Sequence, residues 1–223
     1  SLRNVRATAF RGKAREIDAS LIPGINYGRG EKKIPRPPVI ESRFGEMLFT
    51  HFGLAGPIIL LMSLAVGEAL GSGPVAILID LKPVLSRAQL RLRLQKDFNA
   101  SGKKNIADIL KDYLPGKMIT SFVALAGIDP EKQAHQINTR EKENIVELLK
   151  ALRFNIKSPL PLPRAIVTAG GVSLKEIDPR TMASRLIPGL YFCGEIMDID
   201  ADTGGYNLQA AFSTGYIAGE SAA

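Results

Sequence analysis

GEIMDIDADTGGYNLQAAFSTGYIAG, residues 194–219, is the stretch on which the reading of this chain turns. The apolar run GLYFC (189–193) before it predicts a buried strand that leaves its sheet at Gly194-Glu195. An acidic loop with Asp198, Asp200 and Asp202 follows, and Thr203-Gly204-Gly205 opens a terminal helix. In open α/β sheets, ligands sit beyond the carboxyl ends of strands. Gly194 would let backbone come close to such a ligand, and the Glu195 carboxylate would accept hydrogen bonds from hydroxyls such as those of a sugar alcohol. The unpaired N–H groups of a glycine-opened helix would face an electron-rich ligand group. Gly215 and Gly219, four residues apart, would allow close helix packing. The competing reading is a glycine-rich cap with small residues for packing; the ordered combination of strand end, acidic loop, TGGYN and small-faced helix favours the site.

Working outward, AIVTAGGVSLKEI (165–177) predicts strand, glycine turn, strand. Gly170 and Gly171 there either face a ligand or make a tight turn at positive φ. PVAILIDLKP (74–83) is the clearest buried strand. Ser86 is placed to cap a helix over 87–101 whose Leu90, Leu92 and Leu94 alternate more than a helix should. NIADILKDYL, GKMITSFVALAGI and TREKENIVELLKAL predict three more helices, the last with an apolar stripe of Ile145, Leu148, Leu149 and Leu152. Residues 86–153 thus read as an all-helical subdomain between strands. LRNVRATAFRGKARE predicts an opening strand, with AREIDASLI its continuation. PGINYGRGEKKIPRPP (23–38) predicts an exposed loop, and GEMLFTHFGLAGPIILLMSLAV a strand turning into a helix near Gly56-Pro57.

The 223 residues are 45% hydrophobic, enough for a sizeable core. The longest apolar run, Gly53–Val66, has fourteen residues and a proline, short of the ~20 that span a bilayer. No secretory signal is visible and the one cysteine, Cys193, excludes an intrachain disulfide, so a soluble cytoplasmic protein is expected. Cys193, in its apolar run, reads as a buried small hydrophobe. The net charge of +7 is scattered, with Arg87, Arg91, Arg93 and Lys96 on one helix; solvated faces are the reading, and a nucleic-acid partner is not favoured. His51 is the better placed of the two histidines for catalysis, against a structural role, while His135 reads as surface. No histidine pair has metal-ligand spacing, so no metal site is expected. Arg180 and Arg185 would meet a phosphate or form surface ion pairs.

The run from Ala165 to Gly219 resembles the C-terminal signature of the BaiN-type (YhiN-like) FAD-dependent oxidoreductases, and GEMLFTHFGLAGPIILLMS is similar to that family's mid-chain segment. The resemblance implies an α+β fold. A β-rich insert domain (1–182, with the helical subdomain at about 86–153) would precede the C-terminal strand-loop-helix (183–223) of a split, Rossmann-like FAD-binding domain. It implies that Glu195 and Asp198 lie near the FAD ribityl and pyrophosphate groups. The backbone around Gly204, Gly205, Tyr206 and Asn207, with Thr203 and Leu208 beside it, would face the flavin pyrimidine edge; Gly170, Gly171 and Gly194 complete the implied cofactor set. A helix start there would stabilise negative charge on the reduced ring.

The family's opening strand, GxGxxG and helix have no counterpart; Gly28-Arg29-Gly30 lies in a proline-rich loop. The chain is therefore expected to be the insert plus C-terminal part of a flavoprotein, inactive alone and prone to self-association through a truncated apolar face. The expected chemistry is hydride transfer between FAD and NAD(P)H or an unidentified small-molecule substrate; no side chain stands out as catalytic acid or base. The alternative is a non-catalytic module binding a partner or nucleic acid through Arg87, Arg91, Arg93, Lys103 and Lys104.

Overall fold

The computed structural model describes residues 1–17 and 39–223, which form two compact units, Ser1–Lys157 and Ser158–Ala223. The loop expected at 23–38 lies outside the described residues.

The first unit is built on a five-stranded antiparallel sheet in the order β3-β2-β1-β4-β5, formed by β1 (Leu2–Arg11), β2 (Val39–Thr50), β3 (Gly53–Ala55), β4 (Val75–Asp80) and β5 (Leu152–Ile156). β1 lies at the centre, pairing with β2 (Ala7 opposite Arg43) and β4 (Ala7 opposite Ile79). Strand faces alternate, so Ala7, Ala9, Ile77 and Ile79 enter the main core while Phe10, Ala76 and Leu78 form a second one on the other side. This two-sided burial explains why β4 is apolar at nearly every position. The sheet curls. Phe49 on β2 and Phe154 on β5 are separated by two intervening strands, about 14 Å if flat, yet their ring centroids lie 5.5 Å from each other.

Five helices cover the main core: α1 (Pro57–Leu70), α2 (Arg87–Ala100), α3 (Ile106–Ile109), α4 (Gly116–Ala126) and α5 (Thr139–Lys150). α1 starts at the expected proline, and Ser86 caps α2 in a reciprocal capping box with Gln89. The alternating leucines resolve by helical geometry: Leu90 and Leu94, four apart, are buried and Leu92 is 71% exposed. The helical stripe is shorter than predicted. α5 ends at Lys150, and Leu152 opens β5, a strand the sequence reading missed. Where the continuation of β1 was expected over 14–22, Ala14–Glu16 forms a 3-10 turn whose Ala14 N–H donates to Asn155, and residues 18–22 lie outside the described residues.

An ion pair joins strand layer to helix layer. Lys150 Nζ lies 2.5 Å from Asp80 Oδ2 and donates to the carbonyls of Lys82 (3.0 Å) and Leu85 (2.7 Å). The two side chains are 8% and 3% exposed. Desolvation pushes the Asp80 carboxyl above its ordinary value, against the lowering effect of Lys150.

The second unit holds α6 (Tyr206–Ala222) over a small cluster of Ile177, Met182, Met197 and Ala218. The expected strands are absent here: 165–177 contains a 3-10 turn at Leu174–Glu176, and 189–196 one at Gly194–Ile196. The extended pairing that remains is isolated bridges, Val172 with Met197, Ile177 with Ser184 and Ala183 with Tyr191. Cys193 is exposed, not buried, because the run around it has no sheet to enter.

Candidate cofactor-binding site

The glycine segments are held together by backbone bonds. Val172 N–H donates to Ile196 O (2.8 Å) and Asp198 N–H to Val172 O (3.0 Å), so residues 170–172 run alongside 196–198. Gly171 makes this approach possible. A Cβ there would stand 2.6 Å from Ile196 O and 2.9 Å from Asp198 N, and its φ of +154° disfavours a side chain. Gly170, one residue earlier, has open space where a Cβ would point.

The remaining residues gather on the N-terminal half of α6. Gly194 N–H donates to Thr214 Oγ1 (3.0 Å), and Thr214 Oγ1 donates to Ala210 O (2.7 Å). Asn207 closes the acidic loop. Its Oδ1 accepts from Ala201 N–H (2.9 Å) and its Nδ2 donates to Ala201 O (3.0 Å). This amide clasp was not anticipated; an Asn two residues into a helix after a Gly-Gly pair was the available signal. Gly205, in the left-handed region at φ 89°, is the N-cap and brings no side chain, and a Cβ there would meet nothing within 4 Å. The first N–H groups of α6 thus open toward space that no capping side chain fills.

Glu195 and Asp198 are exposed carboxylates on the flanking turn, and Thr203, Gly204, Tyr206 and Leu208 are exposed around the helix start. Leu208, Phe212 and Tyr216 repeat every four residues along α6 and all are largely exposed, the opposite face from Ala218. The arrangement offers backbone donors, carboxylate acceptors and apolar surface together, a set suited to a ligand with hydroxyls at one end and an electron-rich ring at the other.

Other candidates are placed elsewhere. His51 is exposed in the β2–β3 turn, edge-on to Phe52 at 5.0 Å, and His135, also exposed, has Nδ1 2.7 Å from Gly102 O. Arg185 Nε donates to the Ile177 carbonyl at 3.2 Å. Arg87 and Arg91 of the basic helix make two-pronged ion pairs with Glu147 (2.8 and 3.1 Å) and Glu143 (2.5 and 2.6 Å) on α5. Lys103 and Lys104 are exposed.

Residues 17–167 match the family model described as HI0933-like protein barrel and H2TH domain. The chain is 30% identical over 186 residues to the 3-dehydro-bile acid delta(4,6)-reductase of Clostridium scindens, covering 83% of the chain and 46% of that relative. It is 33% identical over 187 residues to the ribosomal RNA dihydrouridine synthase of Escherichia coli (81% and 44%) and 31% identical over 176 residues to that of Haemophilus influenzae (79% and 42%). The chain therefore spans less than half the length of these relatives. No described helix is long and apolar enough to cross a membrane.

Proposed function

Because the family match takes in more than half of its residues, the chain belongs to the HI0933-like family, and on that premise we propose that it is part of an FAD-dependent oxidoreductase. Residues 183–223 would form the C-terminal segment of the FAD-binding domain, and residues 1–182 the domain inserted into it. The observation that carries the reading is the α6 start. Gly205 brings no capping side chain and has open space where a Cβ would point, and the turn carrying the exposed Glu195 is packed on the same helix through Gly194, whose N–H donates to Thr214. These groups fit one end of FAD. The N–H groups after Gly205 would face the electron-rich edge of the flavin, and the carboxylates would accept from ribityl hydroxyls. Bound FAD would supply two-electron hydride chemistry between NAD(P)H or an organic substrate and the flavin ring.

In this reading the chain's own residues orient rather than react. Asn207 fixes the acidic loop against α6, Thr214 holds Gly194 to the same helix, and Gly171 keeps 196–198 in place. The positive end of α6 would favour added negative charge on a ring placed before it. Two relatives are named for a bile acid and for ribosomal RNA, so kinship supports a reductive chemistry more narrowly than it supports any one substrate. The alternative of a basic-helix module has less support, since Arg87 and Arg91 are already neutralised by α5.

The test is the visible absorbance of the purified protein after excess FAD has been added and free ligand removed. Retained flavin bands that are lost in Gly205→Val and weakened in Asp198→Ala support the site. Flavin retained equally by both variants refutes it, and no retention by the native sequence refutes the idea that this chain holds FAD unaided.

A further inference from the structure

The start of β1 and the segment after α3 border an open pocket of about 320 Å³ in the first unit. Leu2, Val5 and Leu114 give it an apolar floor, while Arg3, Lys82 and Lys111 line it against the carboxylate of Asp112. Two of these cations have exposed partners: Arg3 Nε lies 3.5 Å from Glu46, and Lys111 Nζ lies 2.7 Å from Asp108. Lys82 differs. It lies two residues past the end of β4, is half-buried, and forms no ion pair among the described residues. Its ammonium stands 6.0 Å from the Tyr113 ring centroid, and the Arg93 guanidinium stands 5.2 Å from the same centroid. The ring cannot swing away, because Tyr113 is buried and its hydroxyl donates to Asp97.

The fold thus holds two cations on one buried ring. Burial and the nearby Arg93 charge keep the Lys82 ammonium below its ordinary value. An anion entering the pocket would supply Lys82 with a counter-charge, which it has from none of the described residues. Compact ammonium groups are good point-charge ligands for phosphate, and the flanking Arg3 guanidinium adds planar donors. We propose that this pocket takes a phosphate group, with Lys82 as its central ligand and Arg3 and Lys111 beside it. The site lies wholly within Ser1–Lys157 and does not depend on the flavin reading. A phosphate here would belong either to a small phosphorylated molecule or to a single-stranded RNA backbone.

The test titrates the full chain with inorganic phosphate, followed by phosphorus NMR line width, and with a fluorescent single-stranded RNA, followed by anisotropy. Removing a charge-assisted bond should weaken binding about tenfold in Lys82→Gln. Asp112→Asn, at an exposed position, should tighten it severalfold, and Lys111→Gln should weaken it less than Lys82→Gln. If RNA shows these changes and its log–log salt slope falls by about 0.7 in Lys82→Gln, the ligand is a phosphodiester. If inorganic phosphate shows them and RNA does not, it is a small phosphate. Binding of neither probe, or binding indifferent to both Lys82→Gln and Asp112→Asn, overturns the proposal.

Discussion

Replacing Lys150 by methionine removes the cation that Asp80 meets inside the first unit while keeping most of the side-chain volume. In the native protein the ammonium contacts three oxygens, Asp80 Oδ2 and the carbonyls of Lys82 and Leu85. Afterwards the carboxylate keeps the backbone N–H of Lys82, 2.9 Å from Oδ1, and two carbonyls lose a donor. Leaving one member of a buried pair unpaired costs about 3–5 kcal/mol. For a unit of this size each kcal/mol lowers Tm by about 2–4 °C, so Lys150→Met should lose about 6–20 °C. Acidity gives the effect a signature. The variant lacks the two largest influences that lower the Asp80 pKa, the hydrogen bond and the charge of Lys150, so the carboxyl rises further above 3.8. Folded protein would then bind a proton that the unfolded chain does not, and stability falls as pH rises above that value. The deficit should be greatest near neutrality and shrink toward acid. Adding Asp80→Asn removes the orphaned charge, so the double variant should recover much of the loss. Denaturant melts of the native protein and the two variants at several pH values decide it. A single-variant cost under about 1 kcal/mol, or a double variant no more stable than Lys150→Met, would refute the account of a buried charge pair.

Gly171→Ala drives a methyl into the backbone of 196–198 at a left-handed φ, and should cost about 1–3 kcal/mol in the second unit; faster hydrogen exchange at Val172 and Asp198 would register it. Asn207→Ala removes both bonds to Ala201, each worth about 0.5–1.5 kcal/mol, and should expose residues 198–205 to proteolysis while leaving the first unit unaffected. Burial and the bond to Asp97 push the Tyr113 hydroxyl above its ordinary 10.0. Its contribution is therefore intact below that pH and lost as pH climbs toward the folded value, an alkaline loss of stability that Tyr113→Phe should lack in pH-jump melts.

The residues that proved legible are those whose conformation is set by near neighbours. Ser86 and Gln89 are three apart and cap α2 whatever lies beyond, and Pro57 begins α1 because its fixed φ suits a first turn. The apolar run at 75–80 needed burial on both faces and found it. The order Gly194, acidic loop, Gly204-Gly205, helix was equally readable, since glycine and the helix period are local signals.

What failed were statements that depend on a partner strand. A strand exists only where another offers its donors and acceptors, so GLYFCGEI, apolar though it is, formed one bridge, and Cys193 stayed exposed. Leu152, read as the end of a helix, instead opens β5 because β4 lay open beside it. The sequence by itself determined where helices start, where the chain must turn and which residues seek burial, because those are settled within a few bonds. Tertiary structure alone decided that Lys150 reaches Asp80, that Arg87 and Arg91 are consumed by α5, and that Lys82 and Arg93 share one tyrosine. Pairings between charges 52 to 70 positions apart leave no local trace, since each side chain alone is indistinguishable from a solvated one.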